Sequence, residues 1–149
     1  MMEATSLFKD ARQLASHLRE LRKDRRTRKL QIRAEGRRRQ SLGSKGRRAV
    51  LSKTAGRCHI CGGAIDGDWV ADNVLAHAQG GAHSVDNYLP AHALCNNYRW
   101  FYGTEEFQWI LKLGVWLRTR IENEDHRTLE LVEEFVRHEA RRHYRRKVR

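Results

Sequence analysis

Apolar residues recur at steps of three and four, the spacing of one helical face, along three stretches of the chain. The first seam is Leu7, Ala11, Leu14, Leu18 and Leu21. Residues 22–29 contain no helix breaker, but the seam positions there turn to Arg25 and Arg28, which predicts a helix that leaves its apolar partner and runs into solvent or a groove. A second stretch opens with Thr104 as a cap and Glu105 and Glu106 in the first turn, and sets Phe107, Ile110, Leu111 and Val115 on one side. The third, over 128–145, turns Leu129, Val132, Phe135 and Val136 inward. Trp100, Trp109 and Trp116 are expected to anchor the core. Between these helices, residues 47–55 read as a short helix, and 70–76 and 87–90 as strands joined through the turn Gln79-Gly80-Gly81-Ala82. A helix starting near His92 follows, giving the order β-β-α.

The charge pattern changes the picture. The chain of 149 residues carries a net charge of +12, and its pI of about 10.4 makes a polyanion the natural partner. Residues 1–57 hold 18 basic against 5 acidic side chains, 58–137 hold 6 against 12, and 138–149 hold 6 against 1. A mildly acidic middle between basic arms suits a compact site held on nucleic acid by its extensions. Candidate contacts are Arg25, Arg28, Arg37, Arg38, Arg39, Lys45, Arg47, Arg48 and Arg99. Gly36, Gly43 and Gly46 among these basic residues read as a flexible linker. No apolar run approaches the roughly 20 residues that span a bilayer, and residues 22–48 lack the apolar face of a membrane-surface helix. Met1, Met2 and Glu3 do not open a secretory signal, so a cytoplasmic location is expected.

All three cysteines fall into one pattern. Cys58 and Cys61 form a C-x2-C knuckle before Gly62-Gly63, and His92 and Cys95 repeat the spacing thirty residues on. A set of three thiolates and one imidazole suits tetrahedral Zn²⁺, and a closed set of four leaves no open position, so the ion is structural. The fold expected is therefore α+β and mostly helical: a small zinc-stapled ββα core flanked by N- and C-terminal helices. Its divisions are a basic helical extension and linker over 1–46, the core over 47–103, and a helical pair with a basic tail over 104–149.

Between the knuckles lie Asp72, at the end of the first strand, and Asn96, on the following helix. Both offer hard oxygen donors of the kind Mg²⁺ or Mn²⁺ prefers. Asn87 is placed to pin the intervening loop. The series Cys58, Cys61, Asp72, Gly80-Gly81, Asn87, Cys95 and Asn96 resembles the HNH endonucleases with their ββα-metal fold, and the likeness covers residues 47–100. The resemblance implies a divalent cation held by Asp72 and Asn96 at the scissile phosphate, Asn87 as the residue that orients the loop, and double-stranded DNA as substrate. His92 stands where a cysteine is usual, which zinc accepts.

Asn73 departs further, because the resemblance implies a general-base histidine there. An amide cannot take the proton of an attacking water, and loss of a general base costs about 10²–10⁴ in rate. Three accounts are open: a His→Asn change that disables a nuclease, a pseudonuclease that binds without cutting, or a displaced base, with His77 and His83 as candidates. His59, inside the first knuckle, reads as a spacer. The competing class is a non-catalytic zinc module that binds DNA or RNA. A homodimer through the Leu7–Leu21 seam is a further expectation.

Overall fold

The computed structural model describes residues 8–36 and 41–147; Leu7 and the candidate contacts Arg37, Arg38 and Arg39 lie outside them. Among the described residues there are five α-helices and one antiparallel pair of strands, an α+β and mostly helical fold. The chain divides into two compact units, one ending at Phe107 and the other starting at Gln108. No described helix is long and apolar enough to cross a membrane.

In the first unit, α1 (Ala11–Ala34) is capped by Asp10, whose carboxylate accepts from the Gln13 N–H at 2.8 Å. Leu14, Leu18 and Leu21 are half-buried and Arg25 is buried, so the seam faces its own chain. The expectation that the helix leaves its partner at Arg25 is corrected here. Arg25 Nε lies 3.1 and 3.0 Å from the two carboxylate oxygens of Glu106, and its guanidinium stacks 4.8–5.0 Å from the rings of Trp100, Phe101 and Tyr102. A seam position can hold arginine when a carboxylate and aromatic faces meet it.

Helix α2 (Ser44–Ser52) buries Val50 completely. Its successor Lys53 donates to the carbonyls of Val85 and Tyr88 at 2.5 and 3.1 Å, tying the helix end to the ββα segment. Strands β1 (Val70–Asn73) and β2 (Tyr88–Ala91) pair antiparallel, with Val70 opposite Ala91 and Asn73 opposite Tyr88. The Val74 N–H still follows the register onto the Asn87 carbonyl at 2.8 Å, but the Asn87 N–H turns back to the Ser84 carbonyl at 3.0 Å, and the ladder ends there. Pro90 and Ala91 are buried, and α3 (Ala93–Arg99) follows directly. Trp100 ends it with φ 49°, a left-handed conformation costing about 1–3 kcal/mol in a non-glycine residue. It redirects the chain so that residues 100–102 present their rings to Arg25.

Helix α4 (Thr104–Glu122) has Gly103, not Thr104, as its capping residue. The Gly103 carbonyl accepts from the Phe107 N–H at 2.9 Å, and Glu106 takes the Gly103 N–H at 3.2 Å. In the second unit, Asp125 caps α5 (His126–Lys147) through the Thr128 N–H and hydroxyl at 3.0 and 2.7 Å. Arg120 binds the same carboxylate at 2.7 Å.

Leu129, Val132, Phe135 and Val136, expected to turn inward, are not buried, nor are Trp109 and Trp116, expected to anchor the core. Leu111 is 54% exposed, Val115 67%, Trp116 57%, Phe135 61% and Val136 60%. Trp100, in the first unit, is likewise half exposed and does not anchor a core. Helical periodicity shows that a face is apolar, not that the same chain covers it.

Candidate functional site

The knuckles come together as their spacing requires. Gly62 adopts φ 73°, open to glycine without strain, and lets its N–H reach the Cys58 carbonyl at 2.8 Å while Cys58 N–H reaches the Gly63 carbonyl at 2.9 Å. The β2 edge fixes the loop by accepting the His59 N–H on Pro90 O at 2.9 Å. One ligand atom each from Cys58, Cys61, His92 and Cys95 falls within 4.8 Å of the others, close enough to hold one metal ion. His92 Nδ1 faces the cluster, 3.4 Å from Cys61 Sγ and 3.8 Å from Cys95 Sγ. Its Nε2 donates to the Ala64 carbonyl at 2.9 Å, which selects the tautomer with Nδ1 free to ligate.

The thiols differ in acidity. Burial works against ionisation of Cys58, but the backbone N–H groups of Cys61, His92 and Ile60 outweigh it and lower the thiol to about 6. Burial together with the Cys61 and Cys58 sulfurs pushes Cys95 up to about 12. The Ala64 carbonyl, followed by the Cys61 sulfur, raises His92. Cys58 is thus ready as a thiolate at neutral pH, whereas Cys95 sheds its proton as a cation enters.

The loop between the strands is clamped by one amide. Asn87 Oδ1 accepts from Leu75 N–H at 2.9 Å, and Nδ2 donates to the carbonyls of Leu75 at 3.0 Å and Ala82 at 2.9 Å. The clamp draws Gly81 so close that a Cβ there would lie 1.8 Å from the Leu75 carbonyl oxygen. A side chain at position 81 is therefore excluded.

Beside this loop a cavity of about 530 Å³ is lined by Asp72 and Asn73 from β1, His77 from the following 3-10 turn, Asn96 and Arg99 from α3, and Lys29 and Arg33 from α1. Asp72 is buried with both oxygens engaged: Arg99 Nη1 lies 3.1 Å from each, and His59 Nε2 lies 2.8 Å from Oδ2. Arg99 also donates to the carbonyls of Asn73 at 3.0 Å and Val74 at 2.8 Å, so one guanidinium fixes the strand end and its carboxylate together. Asn73 is buried between this cavity and a smaller one of about 260 Å³ that includes Arg47, Trp69, His83 and Tyr88. Its Nδ2 has no hydrogen-bond partner among the described residues, nor has His83 Nε2. The Tyr88 hydroxyl and His83 Nδ1 are hydrogen-bonded, and the rings of His77 and His83 are 4.9 Å apart.

Sequence reasoning placed Asp72, Asn73 and Asn96 together, and the cavity brings them together; Asn87 stands apart as the clamp of its loop. It missed three residues. His59 is bonded to Asp72 rather than idle in the knuckle, and its place two residues before Cys61, on a loop tied to β2, was the available signal. Lys29 and Arg33 were hidden in a charge run. Of the candidate basic contacts, Arg28, Lys45 and Arg48 are exposed. Arg47 instead stacks 4.1 Å over Trp69 and donates to its carbonyl at 2.9 Å, and Arg25 is buried against Glu106.

Comparisons with protein-family models, with curated proteins and with solved structures find no match for the chain.

Proposed function

We propose that the chain is a metal-dependent DNA endonuclease of the HNH type whose catalysis is disabled at Asn73. One observation carries the reading: a single cavity gathers Asp72, Asn73, Asn96 and Arg99 beside a clamped loop and a metal-binding knuckle pair. Zn²⁺ is the ion that best suits three thiolates and an imidazole, and its role is to hold the two knuckles together. Thiols committed to metal rather than to disulfides fit a reducing, cytoplasmic setting.

The donor chemistry at Asp72 and Asn96, a carboxylate and an amide oxygen on one cavity wall, fits a hard divalent cation such as Mg²⁺ or Mn²⁺. When bound there, the cation would act as a Lewis acid toward phosphate oxygens. The chain's own residues do the rest. Arg99 and His59 hold the Asp72 carboxylate in place, and Asn87 keeps the loop folded so that β1 ends at the cavity. Asn73 occupies the general-base position with a buried amide nitrogen that finds no acceptor, an arrangement that costs about 1–3 kcal/mol and fits a pocket built for a different side chain.

The competing reading is a non-catalytic DNA- or RNA-binding zinc protein, favoured by the same Asn73. A plasmid-nicking assay of the zinc-loaded protein beside Asn73→His separates them. The nuclease reading expects cutting by the histidine form with Mg²⁺ or Mn²⁺ and none without them, against activity lower by about 10²–10⁴ in the native chain. If neither form cuts while both bind DNA, the binding protein is the correct reading.

A further inference from the structure

We propose that α1 supplies two phosphate-binding side chains, Lys29 and Arg33, to the cavity that holds Asp72 and Asn96, which makes the basic N-terminal helix one wall of the site. This rests on the nucleic-acid reading above and names the groups that would grip the strand.

Arg25, Lys29 and Arg33 are spaced four apart and so share one helical face. The first of them is the anchor. Its ion pair with Glu106 is buried, and three aromatic rings enclose it, so this turn of α1 is fixed to the segment that follows α3. One turn on, Lys29 Nζ rests 4.4 Å over the Phe101 ring; two turns on, Arg33 reaches the same cavity. Both side chains belong to exposed residues, and among the described residues neither has a carboxylate partner.

The electrostatics of the cavity then favour an anion. Among the described residues Asp72 is the only carboxylate on its wall, and Arg99 already answers that charge at 3.1 Å. Lys29 and Arg33 are left as two uncompensated cations facing a cavity of about 530 Å³. Four residues of helix separate the two by about 6 Å along its axis, so a ligand with negative groups at a comparable repeat meets both. Successive phosphates of a DNA strand meet that requirement. Because the anchor holds the helix in place before ligand arrives, little ordering entropy opposes the contact.

The test is fluorescence anisotropy of a short fluorescein-labelled DNA duplex, titrated with zinc-loaded protein at several salt concentrations and without added Mg²⁺ or Mn²⁺. Lys29→Ala and Arg33→Ala should each weaken binding and lower the slope of log K against log salt by about 0.9. Lys29→Arg should keep the native slope. Arg118→Ala removes the same charge at an exposed residue paired with Glu122 in the second unit and should leave the slope alone. Native slopes in both cavity variants, or an equal loss in Arg118→Ala, would overturn the inference while the nucleic-acid reading stands. Absence of duplex binding by the native chain would overturn both.

Discussion

Arg25 and Glu106, 81 residues apart in sequence, form a buried ion pair in which Nε lies within 3.1 Å of both carboxylate oxygens. The pair links the basic helix to the start of α4, and Glu106 also holds the Gly103 N–H that opens that helix.

Removing one partner of this pair strands a charge in a poorly solvated place. Arg25→Ala or Glu106→Ala should each lower unfolding stability by about 3–5 kcal/mol, measured by denaturant titration. Arg25→Met combined with Glu106→Leu should recover much of that loss, because two apolar groups leave no orphan charge. A double variant as unstable as the singles would argue against this account.

Gly81 and Asn87 are expected to fail for different reasons. Gly81→Ala drives a methyl group into the Leu75 carbonyl and should cost about 1–3 kcal/mol or more through backbone displacement. Asn87→Ala leaves three backbone groups of Leu75 and Ala82 to water and should cost about 0.5–1.5 kcal/mol for each hydrogen bond lost. Limited proteolysis should then cut within the loop faster than in the native chain. Equal cleavage rates would show that the clamp is dispensable.

Metal loading should be linked to protons. Cys95, raised to about 12, is protonated at neutral pH and must release its proton to ligate, whereas Cys58, lowered to about 6, is already a thiolate. Zinc affinity should therefore rise with pH, and calorimetric titrations in buffers of different ionisation enthalpy should register proton release. Cys58→Ser should abolish stoichiometric binding and unfold the first unit, since a structural zinc contributes on the order of 10 kcal/mol to folding. Metal-independent melting of the native chain would contradict this.

Asp125 gives the α5 turn a pH dependence of known sign. Its carboxyl is held below the ordinary value chiefly by the Thr128 hydroxyl and N–H, with Arg120 adding to them. The stabilisation is present above the unfolded carboxyl pKa and is lost as pH falls through the lower folded value. Circular dichroism melts in this acid range should show a steeper loss for the native chain than for Asp125→Asn. Parallel curves would remove the carboxylate from the account.

The two knuckles and the ββα order were legible because they depend on short-range facts. A C-x2-C turn brings its two ligand atoms together through local geometry, and alternation marks a strand within a few residues. Asn87 was legible as the residue that pins the loop, though not which carbonyls it would bind. The apolar pattern of α5 predicts an inward face, yet Phe135 and Val136 remain exposed. Periodicity reports the face and is silent on what covers it.

By itself, then, the sequence determined the metal-ligand set, the order of elements and the basic character of the N-terminal arm. Each follows from residue chemistry and nearby spacing. Tertiary structure alone decided that Arg25 is an internal bolt, that Lys29 and Arg33 face the cavity, and that Arg99 and His59 hold Asp72. A charge in a sequence carries no record of the partner it meets across a fold, and what an arginine does depends on whether that partner is a carboxylate, a ring or water.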